Sequence, residues 1–427
     1  MNNYNQFSGF FKLLIHWLWL IVILTIAGCG SSSRLSHENL TGQFDFSKVS
    51  LNPSIIIFHS DTDSSKLFYK LDPGSLLFMN KSQEFYATLS IHYQLYSSFT
   101  STILLDSGSF SNDFFSQDPD FLVMGNLKFK MGMGTEGVLK IVVRDVNRKV
   151  ETSKIIFVKK LNTRQRQFYF VADTSGNPLY RNFISLNEPF DIHSDLNTDH
   201  KFIVRCYFRD FPLAPPPFHT GPEMFFNYNA DSIFVVESEQ VRSLRLKRNG
   251  IYHFQNDSST KEGFTIFIFN DDFPYIRNVE QLIDPTRYLT SKKEYQNLVI
   301  AKNKKAAVDR FWLELGGNQD RSRLLIKLYY QRIQDANMLF TSYTEGWKTD
   351  RGMIYIIFGQ PISVYSDGIN EDWSYSALNG ASEFRFSFRK VPNPFSDNDY
   401  SLIRMPVYEN DWYITVDDWR QGKIVNE

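Results

Sequence analysis

Four carboxylates toward the C-terminal end, Glu345, Asp350, Glu371 and Asp372, are the side chains best suited to chemistry in this 427-residue chain. Paired carboxylates across a cleft hydrolyse glycosides, one acting as acid and the other as base or nucleophile. On that reading Glu345, Asp350 and Asp372 are the catalytic candidates. Beside turns, the same residue types are ordinary local hydrogen-bond acceptors. Other chemistry is thinner. All eight histidines lie at or before position 253, and the C-terminal third also lacks cysteine. No Ser/His or Cys/His nucleophile system and no histidine zinc site can therefore be assembled within it. His59, His92, His193, His200, His219 and His253 are scattered without metal-ligand spacing and read as surface or packing residues. The loops Asp61-Thr62-Asp63 and Asn270-Asp271-Asp272 fall short of a calcium cage and read as solvated turns. Met131-Gly132-Met133-Gly134 lacks the strand-to-helix setting of a phosphate loop and reads as a hairpin tip. Neither cofactor nor metal is implied.

The elements that would hold these residues begin with a leader. Residues 13–27 are apolar apart from His16 and Thr25, with Lys12 the only basic group before them. The run is short for a spanning helix, which needs roughly 20 apolar residues, and it fits the core of an export signal. It ends Ile26-Ala27-Gly28-Cys29, which resembles the lipobox of bacterial lipoproteins. The resemblance implies cleavage before Cys29, diacylglycerol on its thiol, and attachment to a membrane through that lipid. A plain N-terminal anchor with Cys29 incidental is the other reading. Gly30 at the second mature position resembles an outer-membrane signal, and the absence of an acidic cluster after it favours the periplasmic face. Gly30 and the serines that follow have the composition of a flexible tether over residues 29–45. The one remaining cysteine, Cys206, is in phase with Phe202, Val204 and Phe208 and reads as a core residue of a strand.

Charge is balanced, 46 basic against 47 acidic residues, so no basic face argues for nucleic acid. Aromatics reach 16%, with 39 Phe and 22 Tyr, a composition that favours half-buried pleated surfaces. Phe85, Ala87, Leu89, Ile91, Tyr93 and Leu95 alternate strictly and predict a strand. Turns at Asp72-Pro73-Gly74 and Asp145-Val146-Asn147 punctuate further short strands. Residues 46–162 thus predict one immunoglobulin-like β-sandwich. A second sandwich is expected over residues 163–280, with Pro215-Pro216-Pro217 in a loop or at an edge and Asn249-Gly250 turning a hairpin.

Past Pro285 the pattern becomes helical, giving an α+β domain over residues 285–427. Ser291 and Glu294 have capping-box spacing, and one helix is expected to run on to Leu315, stopped by Gly316-Gly317. Asp320 is expected to cap a second helix, which closes a helix hairpin. Residues 353–358 form an apolar run that reads as a strand buried on both faces, and four further short strands complete a small sheet. Between the hairpin and the apolar run stand Gly346, Trp347, Lys348, Thr349 and Asp350. With Gly359-Gln360-Pro361, Arg310-Phe311-Trp312 and Asp372-Trp373, they resemble the GWxTD domain family of bacterial envelope proteins over roughly residues 285–404. The resemblance implies a lipoprotein signal, β-rich N-terminal regions and then this domain, but no reaction. An acidic residue is expected after the Gly-x-Pro turn; this chain has Ile362-Ser363, so any role of that carboxylate is absent. Physically, Gly346 is expected to take a conformation that a side chain forbids, and Trp347 to pin the loop over the hairpin. Thr349 and Asp350 are expected to close a turn, and Arg351 to pair with Asp350 or Asp372. Beyond the leader, every tryptophan lies here: Trp312, Trp347, Trp373, Trp412 and Trp419.

Two functions remain. One is a lipid-anchored, outer-membrane scaffold or binding protein facing the periplasm, docking a protein or glycan partner through aromatic residues such as Trp373, Trp412 and Trp419. The other is a glycan hydrolase using the carboxylates.

Overall fold

The structure, a computed structural model, describes residues 34–44, 51–81, 84–115, 121–196, 201–222, 226–237, 240–376 and 383–426. The leader, Cys29 and His200 lie outside them. The first eight strands are β1 (Ser54–Phe58), β2 (Ser64–Leu71), β3 (Met79–Lys81), β4 (Glu84–Tyr96), β5 (Leu104–Phe115), β6 (Val123–Lys130), β7 (Thr135–Asp145) and β8 (Val150–Lys160). The strict alternation of residues 85–95 becomes β4, whose Ala87, Leu89, Ile91 and Leu95 are buried while Phe85, at the strand's start, faces out. Strands β1, β2 and β6 make one antiparallel layer. In the other, β4 pairs with β5 on one side and β7 on the other, β8 follows β7, and short β3 extends β4. Leu67, Tyr69, Leu89, Ile141 and Val143 share the core between them.

The second unit contains β9 (Phe170–Ala172), β10 (Asp191–His193), β11 (Phe202–Tyr207), β12 (Ser232–Val236), β13 (Gly250–Gln255) and β14 (Phe264–Ile268). One layer runs β12-β11-β13-β14. The other is β9 with β10, joined by residues 241–246: Leu244 bridges Phe190, and Ile192 N donates to Val241 O at 3.0 Å. With β3 set aside, the strand order of the first sandwich is repeated position for position, the immunoglobulin-like connectivity of a chain that crosses repeatedly between layers. Two expected turns are corrected by this order. Residues 241–246 belong to the layer opposite β13, so Asn249-Gly250 closes no hairpin. Likewise Met131–Gly134 carries the chain from β6 in one sheet to β7 in the other.

The C-terminal part opens with α1 (Val279–Ile283), α2 (Lys292–Ile300), α3 (Lys304–Gly316) and α4 (Gln319–Phe340). The capping box at Ser291 and Glu294 forms as expected, and Gly317 ends α3 with φ +70°. The single helix expected up to Leu315 is broken, because Asn303 caps a new one by accepting Ala306 N. Asn318, not Asp320, caps α4; Asp320 lies in its first turn, where a carboxylate suits the helix dipole. The apolar run is no strand. It is α5 (Asp350–Phe358), started by Thr349 and ended at Gly359 with φ +84°. Met353, Ile354, Ile356 and Ile357 are all fully buried, so the helix is apolar around its circumference and shows no periodicity to read. An antiparallel meander follows: β15 (Ser363–Ser366), β16 (Asn370–Ser376), β17 (Glu383–Lys390) and β18 (Tyr400–Leu402), then α6 (Tyr408–Arg420).

The tether expectation fails from Arg34 on. Leu35, Leu40 and Phe44 are buried in the C-terminal core together with Tyr96, Phe99 and Val138 of the first sandwich. Ser36 N donates to Phe99 O, and Leu40 N donates to Val364 O at 2.8 Å. Lys140 pairs with Glu38 at 2.6 Å. Residues 34–44 are therefore a strap across two units.

Candidate functional site

The Gly-Trp-x-Thr-Asp segment forms where α4 must hand the chain to α5. Gly346–Lys348 makes one 3-10 turn against the end of α4. Gly346 N donates to Thr341 Oγ1 at 3.0 Å and Trp347 N to Asn337 Oδ1 at 3.2 Å. A Cβ on Gly346 would lie 1.9 Å from Ala336 O. Glycine is thus required by the approach of two backbones; its φ is not positive, so the expected side-chain-forbidding conformation is not the reason. The Trp347 ring is buried, and Tyr288 Oη donates to its main-chain carbonyl at 3.0 Å.

Thr349 joins the turn to the helix. Its hydroxyl donates to Gly346 O at 2.7 Å and accepts from Gly352 N at 3.0 Å, the second contact being an N-cap. Asp350 closes no turn. It accepts from Leu402 N at 2.7 Å and is paired with Arg404. Arg404 in turn reaches Pro215 O at 3.1 Å, and Ala214 N donates to Lys348 O at 2.9 Å. The proline loop of the second sandwich is therefore docked on the motif, which acts as a joint between domains. Arg351 pairs with neither Asp350 nor Asp372. It takes Glu371 at 3.4 Å and stacks on Tyr400 with 4.1 Å to the ring centre.

Each carboxylate proposed for catalysis has its own partner. Glu345 pairs with Lys348 at 3.0 Å. Asp350 is held by Arg404. Asp372 accepts from Ser387 Oγ and takes the face of β16 opposite Glu371 and Trp373. Glu371 accepts from Trp373 Nε1 at 2.7 Å. The sequence reading missed Asp399, whose carboxyl burial pushes up to about 6; Asn393 and Arg351 oppose the shift only in part. Its only sequence signal is an acid two residues after another, in a turn.

The tryptophans proposed for partner contact are core residues. Trp373 and Trp419 are fully buried, and Trp419 Nε1 donates to Ile357 O at 3.0 Å. Trp412 is 5% exposed. Trp412 and Trp419 are closed to a partner because the tail folds into α6 and lays this face on α5; Trp373 is closed by Phe44, Phe340 and Phe388, which pack around it. Trp412 nonetheless edges a groove of ≈ 1460 Å³ between α6, the proline loop and residues 287–294. The groove's exposed rings and aliphatics are Val407, Tyr413 and Ile414.

Elsewhere, Cys206 is buried in β11, and burial pushes its thiol up to about 12, which suits a core residue. Burial brings His59 and His253 down to about 4; His59 bonds Ser65 Oγ and Lys159 O. Among the described residues, no group of three or more His, Cys, Asp or Glu is placed to hold a metal ion. Nor is any described helix long and apolar enough to cross a membrane.

Fold and joint together define a class: tandem β-sandwiches closed by an α+β domain whose two halves meet at a Gly-Trp-x-Thr-Asp turn. Residues 250–421 match the family model described as the GWxTD domain. The match begins at β13, inside the second sandwich, and continues to the end of α6, beyond both ends of the resemblance seen in the sequence. No curated protein matches the chain.

Proposed function

We propose that this protein is a non-enzymatic envelope lipoprotein, anchored through Cys29 to the outer membrane on its periplasmic side, whose GWxTD domain docks a protein or glycan. The observation that carries the reading is how the motif spends its polar groups. Thr349, Asp350 and Glu345 are all engaged within the chain, and the groove beside α6 is lined by the exposed Val407, Tyr413 and Ile414. Exposed tyrosine flanked by aliphatics is the composition of a recognition surface.

Two measurements test it. Mass spectrometry of the membrane-extracted protein reads diacylglycerol on Cys29, which Cys29→Ser abolishes while releasing the body from membranes. A photo-crosslinking residue in place of Tyr413 should yield one discrete adduct in native envelopes; the same residue at Ser175, in the β9–β10 turn, should yield none. No adduct at Tyr413 would remove the docking reading, and an unmodified Cys29 would remove the anchor.

A further inference from the structure

The strap fixes more than the joint between two domains. Arg34 is the first described residue of the strap, and Cys29 is five residues upstream. Five residues fully extended span at most about 18 Å. A lipid on Cys29 would therefore hold the strap's first residue within that distance of the bilayer surface.

The two segments that grip the strap share a property. The loop before β5 contacts it through Phe99, and Ser97 N donates to Ile103 O. In the segment from Ile362 through the β15–β16 turn, Ile362 O accepts from Thr41 Oγ1 of the strap and Val364 N donates to Asn39 Oδ1 of the strap. The two touch each other: a Cβ on Gly368 would meet the Phe99 ring at 2.9 Å. Each exposes aliphatic side chains. Ile103 and Ile369 are both 64% exposed, with Leu104 and Ile362 also outward. Exposed apolar residues around an attachment point suit the boundary between headgroups and acyl chains.

We infer that the face formed by the strap, the loop before β5 and the β15–β16 hairpin lies against the lipid bilayer, giving the anchored protein a fixed orientation. The inference rests on lipidation of Cys29. It replaces the loosely tethered body that the serines after Gly30 suggested.

The test uses the full lipidated chain in phosphatidylethanolamine/phosphatidylglycerol vesicles carrying nitroxide lipids. Cys29 is blocked by its thioether and Cys206 is buried, so fluorophores can be placed singly by Ile103→Cys, Ile369→Cys and, as control, Ser175→Cys. Quenching at 103 and 369 should exceed that at 175 by about twofold or more. An insert of about twenty Gly/Ser residues after Ser33, adding roughly 25 Å of reach, should abolish the difference. Equal quenching at all three sites on protein whose mass shows the lipid would overturn the orientation while leaving the anchor standing. A mass without lipid would overturn the anchor, and the orientation with it. Quenching that survives the insert would show that the strap does not set the orientation.

Discussion

Gly346→Ala tests most directly whether the motif is a joint between backbones. The new Cβ would sit 1.9 Å from Ala336 O and 2.6 Å from the carbonyl carbon, with Asn337 Cα at 2.8 Å. Carbon and oxygen pack at roughly 3.3–3.6 Å, so the turn must retreat from α4 by more than about 1 Å. No side chain can swing aside, because the obstacles are main chain. Overpacking of this kind costs about 1–3 kcal/mol. The bonds from Gly346 N and Trp347 N span the same gap, and weakening both adds about 1 kcal/mol each. A loss of about 3 kcal/mol or more is expected. Guanidinium unfolding followed by tryptophan emission reads it locally, since all five tryptophans beyond the leader lie between positions 312 and 419. Gly42→Ala is the control: its Cβ meets nothing within 4 Å, and a change within about 0.5 kcal/mol is expected. Should Gly346→Ala shift the midpoint no more than Gly42→Ala, the close-approach argument is wrong.

Thr349→Ala should cost about 1–2 kcal/mol through loss of the α5 cap, with Thr349→Ser retaining most of it; equal losses in both variants would point to the methyl group instead. Because Asp350 and Arg404 are both largely buried, removing either alone should cost about 3–5 kcal/mol. The double variant should cost clearly less than the sum, and an additive cycle would refute the pairing. The histidines give a pH signature. With His59 and His253 brought down to about 4 in the folded state, the unfolded chain binds more protons between pH 6.5 and 4, so stability falls as pH drops through that window. At pH 5 each contributes a loss of about 2 kcal/mol. His253→Gln should flatten the difference between pH 7 and pH 5 by about that amount, and an unchanged slope would contradict the assignment. Asp399 acts in the opposite sense: a carboxyl raised to about 6 loses stability as pH rises from about 4 to 6.

Local patterns carried the sequence reading wherever one face of an element is buried. Residues 85–95 alternate because β4 has a wet side and a dry side. Ser291 and Glu294 cap α2 through contacts three residues apart, and Cys206 shares its phase with the core positions of β11. Such features are visible without a partner. The connectivity common to both sandwiches is also latent in the strand order, although the residues themselves do not repeat.

Other features depended on which segments meet. Residues 353–358 could be strand or helix, since total burial erases periodicity; the hydroxyl of Thr349 on Gly352 N and the packing of α4 and α6 around the run settle it as α5. Gly346 is glycine because Ala336 lies against it, a contact no spacing announces. Asp350 finds Arg404 and Asp372 finds Ser387 only once the meander has folded, which ties up side chains that looked free for chemistry. Residues 34–44 have the composition of a linker yet form a strap, because Leu35, Leu40 and Phe44 fill a core built by chain far downstream. Sequence sets the periodicities and caps that act within a few residues; close approaches, charge partners and the docking of short apolar anchors are long-range, and only the tertiary structure decides them.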